Sequence, residues 1–229
     1  MAARNYGQYC GVVRALELVG ERWALLIVRD LLVGPRRYSD LKNGLSRIPT
    51  NILSDRLKEL QGAGVVRRVP LARCGLVYEL TPYGRELEDV ILAMGRWGFK
   101  AMGEPRDGEE ITADSLTMAL RTAFDADASR RLPATAFTVH LGDITLVVRS
   151  ARGTLDVVAP GRGPLSTVLP AGDAENVEFA AGPGLRALIA GTIGPEQALR
   201  DGVLQVLDGD PLLVERFSAL FHLEASVAA

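Results

Sequence analysis

The chain has 229 residues, which is enough for one large domain or two ordinary ones. Its hydrophobic fraction of 48% and charged fraction of 24% are normal for a globular protein, so we expect a proper core. Apolar runs such as Ala24–Val28 are far too short to cross a bilayer, and the first ten residues contain no apolar signal region. Two cysteines do not make a disulfide scaffold or a zinc site. We therefore predict a cytoplasmic protein without a metal.

The net charge of −2 hides an uneven distribution of charge along the chain. Residues 1–103 carry 16 Lys and Arg against 10 Asp and Glu, a net charge of +6. Residues 104–229 carry 10 against 18, a net charge of −8. A basic half joined to an acidic half indicates that only the first half meets a polyanion, although charge alone does not distinguish DNA from RNA or a membrane surface.

The first half reads as a series of helices. Gly20 ends the first predicted helix, Gly34-Pro35 ends the second, Ser39 is the predicted N-cap of the third, and Gly62 and Gly64 end the fourth. The four predicted helices cover residues 10–19, 21–33, 40–43 and 49–60.

The segment 38–60 predicts a helix, a turn and a second helix with two distinct faces. Leu53, Leu57 and Leu60 recur at helical spacing and form an apolar stripe for the core. A second face is polar and is formed by Asn51, Ser54, Asp55 and Lys58. Such a helix is typical either of an amphipathic surface helix or of one that reads base edges in a major groove.

Two short β-rich runs, residues 65–69 and 76–81, predict a hairpin. Arg67, Arg68 and Arg73 lie on it or at its tip, without a carboxylate among them, which predicts a cationic wing able to contact phosphate. From Pro82 a long helix is predicted to run to about Met102. Its apolar side is larger than a domain of this size needs, so we expect a partner chain to pack there. This side contains Leu87, Val90, Ile91, Met94 and Trp97.

Residues 9–98 resemble the HxlR family of bacterial winged helix-turn-helix regulators. The similarity is carried by a Cys near the N-terminus and by ERWALLI, GPRRYSDL, ILSDRLKEL and YELTPYGREL, in family order. The resemblance implies a homodimer built from the first and last helices of this region and bound to a pseudo-palindromic DNA operator. It also implies that residues 49–60 are the recognition helix and residues 67–80 the wing. Asn51 stands where many members carry Lys or Arg, so the base preference does not transfer.

The residues themselves predict two kinds of DNA contact. Thr50, Asn51 and Ser54 at the start of the recognition helix are the predicted base readers, because an Asn side chain can bond adenine in a bidentate way. For Arg56 an ion pair with Glu59 or Asp55 is an equal alternative. The predicted phosphate and wing contacts are Arg36, Arg37, Tyr38, Lys42, Arg56, Lys58, Arg67, Arg68 and Arg73.

The second half follows a predicted linker and is of the α+β class. Residues 104–111 are rich in Gly, Pro and charge, so we predict domains over residues 1–103 and 112–229. Thr112 or Asp114 is the predicted cap of a helix over residues 115–124. A period of two then predicts mainly antiparallel strands over residues 136–141, 144–149, 155–158, 176–179 and 204–207. Further helices are predicted over residues 185–190, 196–200 and 211–223.

The closing segment, residues 191–223, resembles the end of sterol carrier protein type 2-like domains, in which a helix, a strand, a Gly-Asp turn and a final helix follow one another. The resemblance extends over about residues 112–223. It implies a sheet-and-helix shell around an apolar tunnel for a fatty acyl, sterol-like or polyketide-like molecule. The alternative is a solid core made of the same side chains. The predicted pocket residues are Leu116, Leu120, Phe124, Phe137, Leu188, Phe217, Leu220 and Phe221.

The sequence contains no recognised catalytic motif or phosphate-binding glycine loop, so we expect neither enzymatic activity nor a cofactor. The GRGP stretch, residues 161–164, is predicted to be a loop. His140 and His222 are far apart in sequence, and packing or a satisfied hydrogen bond is the favoured interpretation of each.

These observations favour a DNA-binding transcriptional regulator, with repression as the expected sign, that acts as a homodimer and responds to a hydrophobic small molecule in the second domain. One alternative is a lipid carrier or enzyme whose first domain serves for dimerisation. Another is a redox or electrophile sensor that uses Cys10, which needs an exposed thiol of lowered pKa, with Arg14 as a possible aid. A buried, inert Cys10 is the favoured interpretation.

Overall fold

The computed structural model describes residues 5–72, 75–161 and 174–225. The chain divides into two compact units at Ile91–Leu92. This division falls within a helix, upstream of the predicted boundary at residue 103. The predicted linker, residues 104–111, contains neither helix nor strand, and all its residues are exposed.

The first unit has the predicted order of helices followed by a two-stranded hairpin. The chain then forms one short helix and a longer helix that continues into the second unit. In chain order the elements are α1 (Gly11–Val19), α2 (Ala24–Val33), α3 (Tyr38–Gly44), α4 (Thr50–Gly62), β1 (Val66–Leu71), β2 (Gly75–Leu80), α5 (Pro82–Arg85) and α6 (Glu88–Phe99).

The predicted starts of α2 and α3 were wrong by a few residues. Helix α2 begins at Ala24 rather than at Glu21, because Trp23 takes a left-handed conformation (φ 80°) and the preceding residues form a turn. Helix α3 begins at Tyr38, so Ser39 lies inside the helix and is not its cap. The carboxylate of Asp40 accepts a hydrogen bond from the Arg37 N–H (2.9 Å), and this contact closes the first turn.

The apolar stripe of α4 is buried as the periodicity predicts. Leu53, Leu57 and Leu60 are each at most 1% exposed and belong to the core of the first unit together with Ile27 and Leu31 of α2. Burying these side chains determines which face of α4 remains outside.

The hairpin has a regular antiparallel register and is anchored to the chain before α3. Val66 lies opposite Leu80, and Val69 lies opposite Val77. Arg36 and Tyr78 exchange backbone hydrogen bonds in both directions (3.0 and 2.8 Å), so the residues before α3 act as a short third strand. The hairpin therefore has a defined position relative to α3.

The single long helix predicted from Pro82 to Met102 is two helices. Thr81 caps α5 through its hydroxyl, which accepts the Gly84 N–H (3.0 Å) and donates to the Gly64 carbonyl (2.6 Å). At Gly84 the backbone packs so closely on the Val65 carbonyl that a Cβ would clash. These contacts hold α5 on the hairpin, and α6 starts anew at Glu88 and ends at Phe99.

The second unit is α+β, as predicted. Its elements are α7 (Ala113–Ala123), α8 (Ala126–Arg131), β3 (Thr135–Leu141), β4 (Ile144–Ala151), β5 (Thr154–Val158), β6 (Glu175–Ala181), α9 (Leu185–Ile189), α10 (Pro195–Arg200), β7 (Leu204–Gly209) and α11 (Leu213–Leu220). The sheet has the strand order β5-β4-β3-β6-β7. Only the β3–β6 pair is parallel among the described strand pairs. Thr112 is the cap of α7, and the short helix α8 was not predicted.

The core of the second unit is closed by phenylalanine rings. The ring centroid of Phe217 lies 5.3 Å from Phe137, 5.2 Å from Phe179 and 4.7 Å from Phe221. These four side chains are fully buried. Rings at these separations are packed against one another, so they fill the space that a tunnel along them would need.

The predicted pocket residues therefore lie in a packed core, which agrees with the alternative of a solid core. Phe124 is the exception among them, because it is only partly buried. The core members are Leu116, Leu120, Phe137, Leu188, Phe217, Leu220 and Phe221.

Within the described ranges, no helix has both the length and the apolar character needed to cross a bilayer. The same residues bring together no group of three or more His, Cys, Asp and Glu side chains that could hold a metal ion.

Candidate nucleic-acid interface

Helix α4 is held by its buried stripe and by the turn before it. Leu45 and Ile48 in that turn are 5% and 1% exposed, and Pro49 occupies the cap position of α4. The turn is therefore anchored in the core at the point where α4 begins. Thr50 and Asn51 in the first turn of α4 and Lys58 further along are exposed. Their side chains are accessible to a macromolecular partner.

Ser54, one of the three predicted base readers, is engaged within the protein. Its hydroxyl donates to the Thr50 carbonyl (3.1 Å) and lies 3.2 Å from the hydroxyl of Tyr38. Tyr38 itself donates to the Thr50 carbonyl (2.8 Å). Tyr38 and Ser54 thus tie α3 to the first turn of α4, and they position Thr50 and Asn51.

Arg56 was predicted as a phosphate contact, and the structure places it inside the domain. It is 8% exposed and forms ion pairs with Glu21 (3.1 Å) and with Glu59. The ion pair with Glu59 is the alternative that the helical spacing offered. Because the guanidinium is buried between two carboxylates, Arg56 joins α4 to the turn before α2 and does not offer its charge to a partner.

The hairpin presents its arginines unequally. Arg67, a predicted phosphate contact, pairs with Glu79 across the strands through two nitrogens (2.7 and 2.6 Å), so its charge is compensated within the hairpin. Arg68 is exposed and lies over the ring of Tyr78, 5.7 Å from its centroid. Arg73 lies outside the described residues. Of the two hairpin arginines that the structure describes, Arg68 is therefore the one whose guanidinium is not paired with a carboxylate.

The remaining predicted phosphate contacts differ in accessibility. Arg36 is partly buried and donates to the Pro35 carbonyl (2.9 Å). The ammonium group of Lys42 donates to the Ser46 carbonyl (2.9 Å), which closes the end of α3. Arg37 and Lys58 are exposed. The two accessible cations, Arg37 and Lys58, thus lie just before α3 and on α4.

Two cationic residues beside α4 were missed by the sequence reasoning. Arg22 and Arg47 line a shallow cavity of about 330 Å³ together with Trp23, Pro49 and Ile52. The guanidinium of Arg22 lies over the Trp23 ring, 4.9 Å from its centroid. Both arginines are exposed and flank the start of α4, so they extend the basic surface. The sequence signal that could have identified them is their position in the turns before α2 and α4.

Cys10 is exposed at the start of α1, so the interpretation of a buried thiol was wrong. The backbone N–H groups of Val13 and then of Val12 lower the pKa of the thiol, because they stabilise the thiolate. The guanidinium of Arg14 pairs with Glu17 (3.1 Å) and is not among the groups that lower this pKa. The sequence could not distinguish these outcomes because exposure depends on packing.

The two histidines have ordinary structural surroundings. On β3, His140 has Thr145 Oγ1 3.0 Å from Nδ1 and Glu178 Oε1 2.7 Å from Nε2, so its hydrogen bonds are satisfied as predicted. His222 is exposed and its ring lies close to Gly191.

Comparisons with known proteins agree with this geometry. The model of the HxlR-like helix-turn-helix family matches residues 18–106. An uncharacterized HTH-type transcriptional regulator of Mycobacterium tuberculosis, Rv3095, is 43% identical, and the match covers 46% of this chain and 82% of the relative. YvaP of Bacillus subtilis, also an uncharacterized HTH-type transcriptional regulator, is 35% identical over 86 residues, 37% of this chain and 80% of the relative.

A solved structure, the reduced form of the transcriptional regulator YodB from B. subtilis, aligns with 29% identity and a TM-score of 0.36. The alignment covers 43% of this chain and all of YodB. The helix-turn-helix geometry, the family model and the M. tuberculosis relative together lead to one conclusion. The chain belongs to the HxlR-like family of helix-turn-helix transcriptional regulators.

Proposed function

We propose that the protein is a one-component regulator, a repressor by sign, that binds a double-stranded DNA operator as a homodimer in the bacterial cytoplasm. The observation that carries the proposal is the first turn of α4. Thr50 and Asn51 are exposed there, while Tyr38 and Ser54 hold the turn in position. A rigidly held helix end with exposed polar side chains is the feature that base reading in a major groove requires.

Each part of the interface has a chemical role in this proposal. Asn51 bonds the N6 and N7 atoms of an adenine, and Thr50 contacts a neighbouring base edge. The exposed cations contact phosphates and set the register of the protein on the duplex without reading sequence. The proposed phosphate contacts are Arg22, Arg37, Arg47, Lys58 and Arg68.

Two helices support the homodimer because they leave large apolar side chains exposed. On α1, Val12 is 69% and Leu16 is 46% exposed. On α6, Val90, Met94 and Trp97 are 46%, 49% and 79% exposed. Single exposed apolar residues are common, but several at helical spacing on one helix are typical of a protein interface. A second copy of the chain is the occupant that we propose for these faces.

We further propose that the second unit resembles the sterol carrier type and controls DNA binding through a small molecule, by binding rather than by catalysis. The five-stranded sheet and closing helix support the resemblance. The packed phenylalanine core disfavours a lipid carrier, because a carrier needs a hollow interior. Binding of an effector alters DNA affinity only if the effector prefers one arrangement of the two DNA-reading modules.

Selection of bound genomic fragments by the full-length protein tests the proposal. Asn51→Ala should remove the preference at one base pair in each half-site, a loss of discrimination of about 1–3 kcal/mol, because one bidentate contact is deleted. Gln61→Ala is the matched control, since it removes an exposed amide at the other end of α4. An unchanged consensus for Asn51→Ala would show that α4 does not read bases.

The same selection tests the dimer. A homodimer predicts a pseudo-palindromic consensus with half-sites about one helical turn apart. Sedimentation velocity on the free protein should then give the mass of two chains. A single half-site together with a monomeric mass would refute the dimer and leave the DNA contact intact.

A second candidate function is thiol sensing through Cys10. The specific observation in its favour is an exposed thiol whose pKa is lowered by backbone N–H groups at the start of α1. Alkylation or oxidation there would add bulk to a helix whose exposed face we assign to the dimer.

A further inference from the structure

A cleft on the second unit lies at the end of α7, outside the phenylalanine core. It is open to solvent, and its volume is about 530 Å³. It is lined chiefly by Arg96, Phe124, Asp125, Asp127, Arg130 and His222. The cleft therefore combines charged groups with one aromatic ring.

The walls of this cleft are built on hydrogen-bonded backbone. The His222 N–H donates to the Ala123 carbonyl (2.9 Å), and the Asp125 N–H donates to the Leu220 carbonyl (2.8 Å). Phe124 and Phe221 form a β-bridge between these contacts. The residues that follow α7 and α11 are thus fixed together, and they form one defined wall of the cleft.

The cleft is lined by two arginines and two aspartates, and Arg96 is the arginine that forms no ion pair among the described residues. Asp125 caps α8, and its carboxylate accepts the N–H groups of Asp127 and Ala128 (both 2.8 Å). Asp127 forms an ion pair with Arg130. Arg96, on α6, makes no ion pair with any residue in the described ranges. An incoming carboxylate would therefore find Arg96 available as its bidentate partner.

The ring of Phe124 in the cleft wall indicates the chemical class of the part of the ligand beyond its carboxylate. Phe124 is partly buried, and its ring centroid lies 5.9 Å from that of Phe221 at the edge of the core. A flat ring placed against Phe124 would gain an offset or edge contact beyond its apolar burial. A second negative charge on the ligand would face Asp125 and Asp127, so a monoanion fits and a dianion does not.

We propose that this cleft binds an aromatic monocarboxylate, with the carboxylate on Arg96 and the ring against Phe124. The inference rests on the proposed effector control and gives it a site and a ligand class. Arg96 lies on α6, which also carries Met94 and Trp97 of the proposed dimer surface. A ligand that holds α6 in one position would favour one arrangement of the dimer and so change its DNA affinity.

The direct test is binding to the full-length protein without DNA, measured by isothermal titration calorimetry. The probes are benzoate, 4-hydroxybenzoate and 1-naphthoate, with 1-naphthamide as the uncharged partner of the largest. We expect 1-naphthoate to bind at least tenfold more tightly than 1-naphthamide, because the amide cannot form the charge-assisted pair. No binding by any of the three carboxylates, or equal binding of acid and amide, would overturn the proposal.

Variants assign the binding to this cleft. Arg96→Gln should weaken 1-naphthoate about tenfold, and Arg96→Lys should weaken it less, because it keeps the charge but loses the fork. Arg200→Gln is the control, since it removes an exposed arginine of α10 that does not line the cleft. Unchanged melting temperatures verify the folding of each variant. If Arg96→Gln bound 1-naphthoate with full affinity, the binding site would lie elsewhere and the assignment to this cleft would be refuted.

The DNA measurement separates this inference from the proposed function. Operator affinity is measured with and without saturating 1-naphthoate, on wild type and on Arg96→Gln. A change in wild type that is lost in the variant supports the effector site. Ligand binding with no change in operator affinity refutes the control step alone, whereas intact DNA binding without any ligand binding refutes the cleft and leaves the regulator.

Discussion

The two regions of this molecule manage charge and apolar surface in opposite ways. The first 103 residues carry a net charge of +6 and leave apolar side chains exposed on α1 and along α6. The residues from 104 onward carry a net charge of −8 and close their own core with phenylalanine rings. The first region is therefore suited to binding a polyanion and a second chain, whereas the net negative charge of the second disfavours contact with a polyanion.

The difference also shows that composition alone does not identify a binding surface. Both regions are rich in arginine and apolar residues, but burial and pairing decide which of them reach a partner. In the first unit Arg56 is enclosed by two carboxylates, while Lys58, two residues later, is exposed. In the second unit the apolar side chains proposed for a tunnel contact each other instead.

The largest expected effect tests whether the second region is closed. Phe217→Ala should lower the free energy of unfolding by about 3–5 kcal/mol, because a fully buried ring is removed from a packed cluster. Chemical unfolding followed by circular dichroism measures the loss. Leu207→Ala, at a position 51% exposed, is the control and should change stability by less than about 0.5 kcal/mol.

A small loss in the free energy of unfolding for Phe217→Ala would contradict the closed core that we describe for the second region. A ring that lines an open tunnel leaves no new cavity when it is shortened, so its removal costs little. That outcome would restore the apolar tunnel and the lipid-carrier alternative.

A pair of neighbouring variants sharpens the contrast within α4. Arg56→Gln should destabilise the first unit by about 1–3 kcal/mol, because the carboxylates of Glu21 and Glu59 lose their shared cation. Lys58→Gln should leave stability unchanged and weaken binding to all DNA sequences alike, with the salt slope reduced by about 1. Thermal unfolding and salt-dependent DNA titrations distinguish the two. The reverse pattern would mean that Arg56 reaches phosphate.

The smallest effect concerns the thiol at the start of α1. In a Cys74→Ser background, the rate of Cys10 alkylation by iodoacetamide should rise at a lower pH in the folded protein than in urea. The physical reason is that the backbone N–H groups of Val13 and Val12 lower the pKa of Cys10 only when α1 is formed. Identical profiles with and without urea would remove the support for thiol sensing.

Most elements of both units could be predicted from periodicity and from helix-ending glycines. The α4 stripe, the hairpin and the five strands all follow from local patterns. The break between α5 and α6 did not follow, because it depends on the contact of Gly84 with the Val65 carbonyl, which is remote along the chain. The early start predicted for α2 failed because Trp23 adopts a left-handed backbone conformation that its residue type does not announce.

For the candidate DNA site, the sequence by itself determined the location of the helix-turn-helix and the sign of its charge. Only the tertiary structure decided which predicted side chains remain available. Arg56 meets Glu21 and Arg67 meets Glu79 across 35 and 12 residues of chain, and Ser54 meets Tyr38 across 16. Local spacing reports which face of a helix a residue occupies. What that face meets depends on chain segments that only folding brings together.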